Sequence, residues 1–112
     1  MFDGILISVD ENESCTVSPV KFNVRRNQLD QMYQWIDCQC IDAAAAIIEG
    51  IKVTCWVDDE GILVGKPPVI MIPPYGQVLH GNVLITIVNE AGDIRPMTGE
   101  EFDTIYNAIT GE

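Results

Sequence analysis

Basic residues are scarce in this chain. Six Lys and Arg stand against seventeen Asp and Glu, a formal charge of −11 over 112 residues. A surface with that balance repels phosphate backbones and anionic headgroups and attracts cations, so neither direct nucleic-acid binding nor membrane binding is expected, and a basic protein partner is. No apolar run approaches the roughly 18 residues of a membrane-spanning helix. Histidine occurs once, as His80, and cysteine only at Cys15, Cys38, Cys40 and Cys55. The two-residue interval between cysteines that zinc sites use is missing, so no metal site is expected. Cys38 and Cys40, two apart, would share one face of a strand. The opening Met1 to Val9 has no basic region ahead of its apolar stretch and ends in Asp10 and Glu11. It reads as a strand rather than a signal peptide, which predicts a cytoplasmic location and reduced thiols.

What is present fits one domain over residues 1–112. The chain is 47% hydrophobic and 21% charged, and this length buries enough surface to carry a core without metals or disulfides. Two helices are well signalled. One starts near Asn27 with Asp30 three residues on, and Leu29, Met32, Tyr33 and Ile36 form its apolar stripe, giving a helix over about 27–37. The other starts at Thr98 with Glu101 three residues on, repeats Phe102, Ile105, Tyr106 and Ile109, and meets Gly111 as a stop, giving a helix over about 98–110.

Between the helices the text reads as strands. Ile51 to Val57 and Ile62 to Val64 flank the turn Asp58-Asp59-Glu60-Gly61, the pattern of a hairpin. Gly81 to Val88 is a second strong strand. Cys38 to Ala44 is assigned to strand, with a short helix over Asp42 to Glu49 as the competing assignment because alanine favours helix. The paired prolines around Val69 to Ile72 predict an edge or a loop over the sheet, since proline cannot donate to a ladder. The fold class predicted is α+β, a mainly antiparallel twisted sheet with two helices.

Catalytic motifs are looked for and not found, and the chain is taken as no enzyme with no cofactor. The phosphate-loop pattern is one residue short at Gly61 to Lys66, and Pro67 stands where Ser or Thr must hold magnesium. The calcium-loop pattern fails at Cys15 and Lys21. No nucleophile motif surrounds His80 or any cysteine. Acids cluster at Asp58, Asp59 and Glu60, and at Glu100, Glu101 and Asp103. Turn chemistry accounts for the first and a helix N-terminus for the second, yet both are candidate partner-binding groups. An alternative ligand-binding set is Trp56, Tyr75 and His80, with Arg25 and Arg26 to meet an anion.

The helix Leu29-Asp30-Gln31-Met32-Tyr33-Gln34-Trp35-Ile36 and the strand and turn Trp56-Val57-Asp58-Asp59-Glu60-Gly61 carry a resemblance. So do Pro67-Pro68, Tyr75 to Leu84, and Met97-Thr98-Gly99-Glu100-Glu101-Phe102. From Leu29 onward the chain resembles the DUF3846 family, found in phages, plasmids and conjugative elements. The family often has two glycines where this chain has Asp37-Cys38, and Asn where it has Pro68-Val69. The resemblance implies an accessory protein of a mobile element and supplies no catalytic residues. Two functions follow as expectations. One is a small acidic, non-enzymatic inhibitor of a host defence system, of the anti-CRISPR or anti-restriction type, that binds a basic surface such as that of a defence nuclease. The other is a binder that sequesters a small molecule or nucleotide signal. A homo-oligomer is compatible with either.

Overall fold

A computed structural model describes residues 1–10, 12, 14–60, 65–66, 68–72 and 77–111. The elements run β1 (Gly4–Val9), β2 (Cys15–Val20), α1 (Gln28–Ile36), β3 (Ile41–Ile48), β4 (Ile51–Asp58), β5 (Pro68–Ile72), β6 (Gln77–His80), β7 (Val83–Val88), β8 (Ile94–Arg95) and α2 (Gly99–Thr110). The main sheet has the order β2-β1-β7-β4-β3, with β8 also paired to β7, and every pairing is antiparallel. This is the α+β arrangement the sequence predicts.

β7 is central, and Val83 to Ile87 are all buried. A strand covered on both faces reads as a continuous apolar run, and Val-Leu-Ile-Thr-Ile-Val is one. β1 approaches it closely at Gly4, where a Cβ would stand 2.7 Å from the Ile85 carbonyl oxygen. The sheet has a different cover on each face. On one, Ile5, Ile7, Val53, Cys55, Val83 and Ile85 join Met97 and Ile105, with Phe102, Tyr106 and Ile109 of α2 packed against them. On the other, Leu84 meets Met32 and Ile36 of α1, flanked by Leu6, Trp35, Ile41 and Trp56. β5 and β6 form a separate two-stranded ribbon, and its Leu79 joins the α2-side cluster.

Both helix starts are where the sequence places them. The Asn27 side chain accepts from the Asp30 N–H, and Thr98 and Glu101 form a reciprocal capping box. The α1 stripe is rotated from its expected position: Leu29 is 49% exposed, while Gln31 is 3% exposed. Gln31 faces inward because its amide is fully used, accepting from the Asn23 N–H at 2.8 Å and donating to the Asn23 carbonyl at 3.0 Å. That bonding ties the 21–27 segment to the helix.

The strands differ from expectation in the hairpin, in the bounds of β3 and at two cysteines. The hairpin partner of β4 is β3, joined by Glu49 and Gly50, whose φ values of 49° and 80° match a two-residue type I′ turn. Ile62 to Val64 lie outside the described residues. The strand assigned after α1 is present, as Ile41–Ile48 rather than Cys38 to Ala44, and the competing helix over Asp42 to Glu49 does not form. Pairing along all of β4 overrides the helical preference of Ala43 to Ala46 in β3. Cys38 and Cys40 precede β3 and share no strand face: Cys38 is half-buried in the α1-side cluster and Cys40 is exposed.

Candidate functional site

The two acidic groups are anchored on separate elements. Asp58 closes β4 opposite Ile41, and the Asp59 N–H donates to the Cys40 carbonyl at 3.0 Å, so the turn stands at the start of β3. Within it Asp58 is engaged. Its Oδ2 lies 2.8 Å from the Lys66 Nζ, its Oδ1 accepts the Glu60 N–H at 2.9 Å, and its side chain is 9% exposed. Burial opposes its charge, but Lys66 and the Glu60 N–H outweigh that and hold its carboxyl below the ordinary value. Asp59 and Glu60 are exposed. At α2, Glu101 accepts from both terminal nitrogens of Arg95, at 2.9 and 2.7 Å, and from the Thr98 N–H at 2.9 Å. Chiefly through the Arg95 bonds its pKa falls to about 2. Glu100 and Asp103 remain exposed on the first turn and a half of that helix.

The alternative ligand set is spread over several places. Trp56 packs in the α1-side cluster and donates its Nε1–H to the Thr86 hydroxyl at 2.7 Å. His80, on β6, donates its Nδ1–H to the Lys66 carbonyl at 2.9 Å. Arg25 and Arg26 are exposed in the segment before α1, where Arg26 reaches Gln34 at 3.2 Å. Tyr75 lies outside the described residues.

Two arrangements were not foreseen. Lys66 is a knot that donates to the Asp37 carbonyl at 2.6 Å while pairing with Asp58, joining the end of α1 to the end of β4. Beside it Asn82 accepts the Val9 N–H at 3.0 Å and donates to the Trp35 carbonyl at 2.9 Å. A side chain with a donor and an acceptor, placed just before the central strand, was the available signal. The second arrangement is the flank of β3. Ala45, Ile47, Lys52, Thr54 and Val88 line a groove of about 350 Å³ on the α1 side of the sheet. The nine residues of α1 rise only about 14 Å, whereas eight strand residues span about 26 Å. The helix therefore leaves that part of the face bare.

Among the described residues no helix is long and apolar enough to cross a membrane. A family model described as a domain of unknown function, DUF3846, matches residues 5–110, and the chain belongs to that family. No curated protein and no solved structure matches it.

Proposed function

We propose that this DUF3846 domain is a non-enzymatic protein-binding module that engages a basic surface of its partner, as an accessory protein of a phage or mobile element directed at a host defence nuclease. The observation that carries the reading is the imbalance of accessible charge. Among the described residues every acid but Asp3, Asp58 and Glu101 is exposed. Of the six cations, Lys66 and Arg95 are already paired with Asp58 and Glu101, and Lys21, Arg25 and Arg26 are gathered in one segment. An acidic field with so little local compensation speeds encounter with a basic patch and is screened by salt. The small-molecule alternative draws less support, because Trp56 Nε1 and His80 Nδ1 are already bonded within the fold.

The test is association with a purified defence nuclease whose nucleic-acid channel is basic and empty, measured from about 0.05 to about 0.5 M salt. Binding should weaken steeply along that series. Asp59→Lys with Glu60→Lys should slow association further, while Asp58 is left in place as the partner of Lys66. Binding that ignores both salt and the double change would refute the reading, and a ligand retained in native mass spectrometry would then favour the small-molecule alternative.

A further inference from the structure

We infer that the outer edge of β3 is the docking strand of this domain, taking an extended segment of the basic partner as an added strand of the sheet. The inference rests on the basic-partner reading and locates it. The two-residue turn makes Ile48 and Ile51 a hydrogen-bonded pair, so the even residues of β3 bond to β4 and the odd ones turn their N–H and C=O outward. Two observations agree with that register. Cys40 accepts from Asp59 on the inner side, and the outward Ala43 N–H is taken by the Asp42 carboxylate at 2.9 Å. Among the described residues nothing pairs with the N–H groups of Ala45 and Ile47.

Edge strands in natural proteins are guarded by proline, inward charge, bulges or a covering element. β2, the opposite edge, carries Pro19. From Ala43 to Ile48, β3 has no charged residue, no proline and an unbroken register with β4. The groove beside it would receive alternate side chains of an added strand, which is how strand-addition sites gain specificity.

Charge identifies the occupant. The β3–β4 hairpin and its turns carry Asp42, Glu49, Asp59 and Glu60 besides the paired Asp58, against Lys52 as the one cation from 41 to 60. A second copy added about a two-fold axis would set Asp42, Asp59 and Glu60 of each chain against Glu49 of the other at both ends. Like charges in such positions oppose pairing. An extended segment with small apolar residues at its centre and Lys or Arg toward its ends meets no such opposition.

The probe is a short synthetic peptide of alternating Lys and Val, read by amide hydrogen exchange on the whole domain. The peptide should protect the Ala45 and Ile47 amides and leave those of β2 unchanged. The same peptide, N-methylated along one edge so that charge and side chains are kept, should bind at least about tenfold more weakly. Ala45→Pro, which removes an outward N–H and leaves the β3–β4 bonds intact, should have the same effect. If the methylated peptide binds equally well and Ala45 and Ile47 stay unprotected while salt still weakens binding, the edge inference falls and the basic-partner reading stands. If no peptide binds even at low salt, both fall. Self-association in sedimentation that Ala45→Pro abolishes would assign the edge to a second copy and overturn the inference.

Discussion

Under α2 the sheet is sealed: Ile5, Cys55, Val83, Ile85, Met97 and Ile105 are fully buried in one cluster that draws on β1, β3, β4, β6, β7 and the helix. Under α1 the seal is a patch around Met32, Ile36 and Leu84, and it stops before Ala45, Ile47 and Val88. The same strands supply both faces by alternation, so the difference lies in the cover. α2 has 12 residues and shares its cluster with Leu79 of the β5–β6 ribbon, whereas α1 has 9 and leaves the β3 side open. A sheet needs one sealed face to fold, and the other is then available for a partner.

The sharpest way to break the contrast is at its sealed side. Ile105→Ala empties a fully buried site and should cost about 2–5 kcal/mol in denaturant unfolding; a cost under about 1 kcal/mol would show that α2 does not close the core. Phe102, only half-buried, should cost less than its ring size alone suggests.

Next comes the polar link on the α1 side. Thr86 is fully buried and accepts from Trp56 Nε1. Thr86→Val keeps the shape and leaves that N–H unpaired, so a loss of about 1–3 kcal/mol is expected, with Trp56 fluorescence reporting the changed surroundings.

The Arg95–Glu101 clasp should show in pH dependence. The folded pKa of Glu101 lies at about 2, below its ordinary value of 4.5. A depressed carboxyl contributes stability that is complete above the unfolded pKa and is lost as pH falls through the folded one. The melting temperature should therefore drop between about pH 5 and pH 2, and Glu101→Gln should flatten that part of the curve. A parallel fall in the variant would assign the acid sensitivity elsewhere.

The smallest effect should be at Leu29, on the outer side of α1. At 49% exposure Leu29→Ala should stay within about 0.5 kcal/mol of the parent. A larger loss would mean that the cover on this face reaches further than the contacts around Ile36 indicate.

Much of this was legible in the amino-acid order. The caps at Asn27 and Thr98, the stripe of α2 and the central strand each rest on short-range chemistry that few contexts override. In α1 the apolar period admits Leu29 as readily as Gln31, and only the hydrogen bonds to Asn23 draw the amide inward. Asp58 to Glu60 and Glu49-Gly50 are both good turn sequences, and only the pairing of β4 with β3 shows that the second closes a hairpin. Of the candidate residues, Asp59, Glu60, Glu100 and Asp103 stand exposed as acids in such places should, while Asp58 and Glu101 are tied to cations far enough along the chain that no local pattern announces the pairing.

Charge balance, capping, the apolar periods and the family are properties of the sequence by itself, since each depends on residue type and near spacing. The tertiary structure alone decided that the strand through the four alanines runs on to Ile48, that this strand is an edge, and that Lys66 ties Asp37 to Asp58. Those outcomes depend on which strand lies beside which, and pairing along the whole of β4 outweighs the preference of any one residue.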